Sequence, residues 1–306
     1  MNVKKIAVGI DFSPESTRAA RQAIEIARHA GAEVVLVHAQ LFVELPPVGP
    51  DPEAQVRAAL DSYRSRIARE LEESRARLAD LRAALSGQGP EVSQVLVEGT
   101  TDEALGAAAR GLGADLLVVG THGRTGLRWF FLGSVAQRVV RLAPVDVLVA
   151  RGDPGGRGGF HNLLVATDFS PSSLRGLDRA MELASPHGRV HVVHCHQVPF
   201  FAGSGEEMVI GATAIVDETV EQELRARGEE LLAPRRRPGG PALDFDLLHD
   251  EPAIGIVHWL EARPHDLAVL GSHGRKGIRR AVLGSVAEAV ARRAPCSVLV
   301  ARGPSN

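Results

Sequence analysis

Cysteine is scarce. Cys195 and Cys296 are the only two in 306 residues, too few for a disulfide framework and fitting a reducing compartment, the cytoplasm. Long apolar runs are missing as well. None approaches the ~18 residues of a membrane-crossing helix, so no membrane association is expected. Charge of one sign is lacking: 35 basic residues against 37 acidic give a net charge of -2. That excludes the strongly basic chain-wide footprint of a nucleic-acid binder. The opening, MNVKKIAVGIDFSPES, has no signal-peptide apolar core and reads as the first strand of a folded domain. Lysine occurs only at 4, 5 and 276, a bias that speaks of genome composition and little of function. With 44% hydrophobic and 24% charged residues, neither disorder nor a collagen-like chain fits. The length suggests about two domains.

What is present is a repeat. VGIDFSPES at 8–16 returns as VATDFSPSS at 165–173, and VVGTHGRTGL at 118–127 as VLGSHGRKGI at 269–278. LGSVAQRVVRLAPVDVLVARG at 132–152 returns as LGSVAEAVARRAPCSVLVARG at 283–303, with 15 of 21 positions identical. A period above 150 residues is too long for a solenoid unit and marks two copies of a whole domain. RGDPGGRGG at 151–159 holds five glycines and a proline and reads as the connection. The expected division is domain one at 1–151, linker at 152–159 and domain two at 160–306.

Within a copy, short apolar runs alternate with helical patterns. KKIAVGI, AEVVLVHA, VSQVLVEG, ADLLVVG and VDVLVA read as strands. Ser13 and Pro14 open a helix that ends near Gly31, residues 53–86 read as one long helix, and Thr101 or Asp102 caps the next. In copy two the strands fall near 161–167, 189–195, 243–249, 266–270 and 296–301. Apolar strands alternating with helices imply a parallel sheet covered on both faces, an α/β doubly wound fold whose ligands bind beyond the strands' carboxyl ends.

After the fourth strand each copy carries G-x-x-G, nine residues, then G-S: Gly120, Gly123, Gly133 and Ser134, and Gly271, Gly274, Gly284 and Ser285. The physical reading is a phosphate site. Glycines permit φ > 0 and close approach, and Gly133-Ser134 and Gly284-Ser285 open helices whose free N–H groups and dipole favour an anion. Arg124 and Arg275 add positive charge. Asp11 and Asp168 end the first strand of each copy. They are placed to accept from a ribose hydroxyl, to hold Mg²⁺, or to cap the following helix. His194 and His196 share one strand face, but no further metal ligands are fixed by spacing.

These residues resemble the universal stress protein (UspA-like) superfamily in its tandem form. The resemblance covers nearly the whole chain outside the linker and loops at 40–55 and 197–215. It implies a five-stranded parallel sheet of order 3-2-1-4-5 in each domain, and ATP, ADP or AMP as ligand, with or without Mg²⁺. It places Asp11 and Asp168 at the adenosine end, and the backbones of Ala39 and Cys195, where the family more often has valine, against adenine. Gly120 and Gly271 would lie near the ribose. Gly123, Gly133, Ser134 and Val135, with Gly274, Gly284, Ser285 and Val286, would line the phosphates. Trp129, Phe130 and Phe131 are bulkier than the family's usual residues and would narrow the first site.

Catalytic signatures are lacking: no G-x-x-x-x-G-K-[ST], no G-x-S-x-G, and no Ser/His/Asp set. A nucleotide held without a placed base is expected to turn over slowly at most. The expected function is a nucleotide-binding stress sensor or regulator. A protein-interaction module with vestigial sites, or a slow ATPase, is the alternative. The apolar fifth strands, at 143–150 and 294–301, would be a liability as open edges. They are expected to pair with each other into an internal pseudo-dimer, bringing Asp146 and Ser297 within crosslinking reach. Homodimers through other surfaces, and the protein partners, stay open.

Overall fold

A computed structural model of the chain describes residues 3–41, 54–87, 89–121, 132–152, 159–196, 206–273 and 283–302, with residues 54–55 and 206–217 by backbone alone. In the first half β1 (Lys5–Gly9), α1 (Pro14–Ala30), β2 (Glu33–Gln40), α2 (Ala54–Leu85) and β3 (Val92–Glu98) are followed by α3 (Thr101–Gly111), β4 (Leu116–Gly120), α4 (Ser134–Leu142) and β5 (Asp146–Ala150). The second half repeats them as β6 (Phe160–Ala166), α5 (Pro171–Leu183), β7 (Ala184–Cys195), α6 (Glu206–Leu232), β8 (Ala242–Leu248), α7 (Pro252–Ala262), β9 (Leu267–Gly271), α8 (Ser285–Arg293) and β10 (Ser297–Ala301).

All ten strands form one sheet in the order β3-β2-β1-β4-β5-β10-β9-β6-β7-β8. Each half reads 3-2-1-4-5, parallel throughout, and the halves meet where β5 pairs antiparallel with β10. The strands are apolar on both faces because both are covered. One face packs α1, α2, α5 and α6 over residues such as Ile6, Val8, Leu36 and Leu163. The other packs α3, α4, α7 and α8 over Ala7, Val37, Leu164 and Val193.

Local chemistry sets the helix ends. Ser13 caps α1 by accepting from Ser16 N–H at 3.1 Å, and Pro14 follows it in the first turn. Gly31 closes α1 with φ 68°. Three expectations differ from the structure. The α3 cap is Thr100, whose hydroxyl turns to Glu103 instead of the backbone. α6 begins at Glu206, inside the expected 197–215 loop. β7 begins at Ala184 rather than near 189. α5 ends without a glycine, and the chain runs directly into a strand that slips register between Phe160 and Asn162.

The junction is nearly two-fold. Leu148 lies opposite Leu299, its own counterpart, with Val147 opposite Val300 and Val149 opposite Val298. This register separates Asp146 from Ser297: they sit at opposite ends of the five-residue ladder, ~13 Å apart at ~3.3 Å per residue. The expected crosslink therefore would not form, since a disulfide needs Cα atoms within about 7 Å.

The same two residues anchor the junction with different chemistry. Asp146 accepts from Arg179 Nε and from the Arg302 N–H, each at 2.7 Å. Its counterpart Ser297 exchanges hydrogen bonds with Gln22 at 3.0 and 3.1 Å and accepts from the Arg151 N–H at 3.0 Å. Arg302 also donates to Val140 O and Arg151 to Ala291 O, again equivalent positions. Burial pulls Arg151 down to about 10. Arg302 is lowered by burial with Asp146 opposing. At Arg179 burial is outweighed by Asp146 and Glu182, which leave it above its ordinary value.

Candidate nucleotide site at the carboxyl ends of the strands

The switch point of each half lies between its first and fourth strands, and three segments converge there. The first is the end of the first strand. Asp11 Oδ1 accepts from the Ser13 N–H at 3.0 Å and the Ser13 hydroxyl at 2.5 Å. Asp168 does the same for Ser170, at 3.1 and 2.5 Å. The aspartates are therefore not the helix caps. They orient the serines that are, and both carboxylates remain half-buried at the mouth.

The second segment is the end of the fourth strand. Gly120 and Gly271 have ordinary backbone angles, so positive φ is not why they are glycine. A Cβ on Gly120 would lie 2.9 Å from Glu15 C, and one on Gly271 2.7 Å from Ser172 C and Ser173 N. Both glycines let the fourth strand press against the first turn of α1 or α5.

The third segment is the start of α4 or α8. Gly133 N–H donates to Thr121 O at 2.7 Å and Gly284 N–H to Ser272 O at 2.8 Å, which ties each helix start to the strand end. Gly133 and Gly284 are the N-caps, with φ -61° and -64°, again not positive. Neither helix has a side-chain cap. Among the described residues a Cβ on Gly284 would meet nothing closer than Ser272 O at 3.4 Å, so their packing does not demand that glycine. Ser134 and Ser285 are exposed, and Val135 and Val286 half-buried.

Ala39 and Cys195 complete the mouth at the ends of β2 and β7. Val37 O accepts from Ile10 N–H at 2.8 Å, and Val193 O from Thr167 N–H at 2.9 Å. Backbone groups alternate sides along a strand. Two residues on, Ala39 and Cys195 turn theirs to the same side, past the end of the first strand. The Cys195 thiol donates to Pro252 O at 3.8 Å and is pushed up to about 12 by burial, with Asp250 and Glu251 adding to it. It stays protonated and unreactive. Gly123, Arg124, Gly274 and Arg275 lie outside the described residues, as do Trp129, Phe130 and Phe131.

A feature not foreseen from sequence stands beside each aspartate. Phe12 and Phe169 adopt φ 63° and 61°, the only described non-glycine residues with positive φ, a costly conformation for a bulky side chain. Each ring stacks on a histidine, Phe12 on His38 at 4.5 Å and Phe169 on His194 at 4.9 Å. Each lies under an arginine, Arg77 at 4.2 Å and Arg227 at 4.6 Å. The histidines bond Ile10 O and Thr167 O, each at 2.7 Å. The stack fixes the backbone that presents Asp11 and Asp168, and it brings a cation from α2 or α6 to the mouth. The repeated phenylalanine of DFSP was the available signal. Because β5 and β10 are antiparallel, the two mouths open at opposite ends of the strands and cannot share one ligand.

The chain aligns with known proteins over both halves. A universal stress protein of Mycolicibacterium smegmatis is 28% identical over 299 residues, covering 97% of this chain and 96% of that protein. One of Mycobacterium tuberculosis is 29% identical, covering 98% and 96%. The crystal structure of a universal stress protein from Archaeoglobus fulgidus superposes with a TM-score of 0.66 at 18% identity, covering 98% of each chain. The profile of the universal stress protein family matches residues 2–151 and again 159–302. A duplicated 3-2-1-4-5 sheet with these full-length relatives leads to one assignment: the chain belongs to the universal stress protein family, in its tandem two-domain form.

Proposed function

We propose that the chain is a stress-response regulator that binds an adenine nucleotide, ATP or its di- or monophosphate, at one site in each of the domains 1–151 and 160–306. The carrying observation is that α4 and α8 start at glycine N-caps without side-chain caps, at the switch point, twice over. Their first N–H groups and dipole favour phosphate. Asp11 and Asp168 then receive ribose hydroxyls or hold Mg²⁺, and the backbones of Ala39 and Cys195 meet the base. Gly123, Arg124, Gly274 and Arg275 belong to the proposed phosphate loops.

No placed general base emerges at either mouth among the described residues. Oδ1 of each aspartate already holds Ser13 or Ser170 and the carboxylates are assigned to the adenosine end, so hydrolysis is expected to be slow and the nucleotide to act as a signal. The unpaired Cys195 and Cys296 fit a reducing compartment, and we place the protein in the cytoplasm. Among the described residues no helix is long and apolar enough to cross a membrane.

The test is calorimetry with ATP, with and without Mg²⁺, on the wild type and on Gly133→Asp and Gly284→Asp. Two sites are expected, one lost with each variant through charge repulsion at the helix start. Absence of both heat and thermal stabilisation at millimolar nucleotide would refute the proposal, because a ligand of the native state must raise its stability.

A further inference from the structure

The two domains differ in the connector before their third β-strand. Domain one has SGQGP at 86–90, whereas domain two has PRRRPGGP at 234–241. The second connector folds back on α5. Arg235 clasps Asp178 at 2.8 and 2.9 Å, and the turn closes with Gly240 N–H donating to Arg237 O at 3.0 Å. This borders a half-open cavity of about 700 Å³ between the connector, α5 and the last turn of α1, which contributes His29 from domain one. The volume is within the ~300–1,000 Å³ range of small-molecule sites.

The wall carries Arg175, Arg179, Arg235 and Arg237 against two carboxylates, Asp178 and Glu182. Arg235 is answered by Asp178, and Arg179 by Asp146 and Glu182. With Asp146 counted, four arginines face three carboxylates, an excess of one cation, and Arg175 and Arg237 are the least well answered. Arg175 reaches Asp146 only at 3.8 Å, and that carboxylate already serves Arg179 and the Arg302 N–H. Its side chain is 31% exposed, so the outer nitrogens of the guanidinium are open to an occupant, whereas its Nε is closed off from the cavity. Arg237 is exposed at the rim, and among the described residues it makes no ion pair. Met181 and the glycines of the turn supply a less polar floor.

We propose that this cavity binds a small organic anion, a phosphate ester or a polycarboxylate, whose charged groups meet Arg175 and Arg237 while its body lies on Met181. Guanidinium pairs bind such groups through two parallel hydrogen bonds. Arg179 spans from the cavity to Asp146 of the other domain, so an occupant bridges the junction and stabilises the paired arrangement. This reading is independent of nucleotide binding at the strand ends.

The test is calorimetry on the full chain at constant ionic strength with two probes, glycerol 3-phosphate and citrate. Saturable binding of at least one probe, one per chain, is expected. R237E and R175Q should each weaken it by about tenfold or more, the loss expected for one charge-assisted contact. R237E changes an exposed side chain and tests the site without disturbing Asp146. The double variant G133D/G284D should bind the probe as the wild type does. Which probe binds distinguishes a phosphate ester from a polycarboxylate. The proposal fails if neither saturates at millimolar concentration or if binding survives both arginine variants. It fails equally if G133D/G284D abolishes binding, which would place the anion at the helix starts instead.

Discussion

The junction carries its own control, because one position is filled by a charged set and its counterpart by a neutral one. Asp146 with Arg179 on one side corresponds to Ser297 with Gln22 on the other. Replacing Asp146 with Ser leaves Arg179 and Arg302 without their carboxylate, at 9% side-chain and 8% residue exposure respectively. Breaking a buried ion pair from one side costs about 3–5 kcal/mol. Glu182 still holds Arg179 at 2.8 Å, so the lower end, about 3 kcal/mol, is expected. Arg179→Gln alone removes a charged hydrogen bond worth about 1.5–3 kcal/mol. The double variant D146S/R179Q recreates the Ser297–Gln22 pairing already present across the axis. It should therefore lose about 2 kcal/mol less than the sum of the single variants. Urea unfolding of all four proteins, followed by circular dichroism, measures this coupling, provided both halves unfold in one transition. Additivity within about 0.5 kcal/mol, or a D146S cost below about 1 kcal/mol, would refute the reasoning.

Gly120→Ala and Gly271→Ala should each destabilise by about 1–3 kcal/mol through overpacking, since the added Cβ meets backbone at 2.9 and 2.7 Å; thermal melting checks this, and unchanged midpoints would contradict the packing role. Burial lowers the pKa of His191, with Asp244 opposing and Arg189 adding to the shift, and burial likewise lowers that of His265. The unfolded chain then binds more protons, so this contribution to stability is present above pH about 6.5 and lost as pH falls below it. His191→Val, the residue of the equivalent Val35, should flatten that acid limb in urea titrations at several pH values. Phe12→Gly removes a positive-φ strain but also the ring between His38 and Arg77; weaker nucleotide binding, rather than loss of fold, is the expected calorimetric result.

Much of the fold was legible in the residues because its signals are local. Each strand is an apolar run, Ser13-Pro14 announces a helix start, and the repeat of whole blocks announces two domains. The antiparallel meeting of the fifth strands was foreseeable from their apolar, β-branched edges. Its register was not, since Leu148 facing Leu299 depends on how α1 and α5 pack across the axis. The glycines were legible as necessary but not for the right reason. The sequence offers positive φ or close approach to a ligand as the reason for the glycines, whereas Gly120 and Gly271 serve close approach to α1 and α5, a distance between segments more than 90 residues apart. The aspartates showed as candidates and Ser13 as a cap, yet that the aspartates hold the capping serines is a matter of hydrogen-bond geometry. Of the histidine–phenylalanine–arginine stacks the sequence offered only the repeated phenylalanine of DFSP, and of the cavity beside Arg175 it offered nothing. Each joins side chains from three separate elements, and only the folded sheet brings those elements within ångströms of one another.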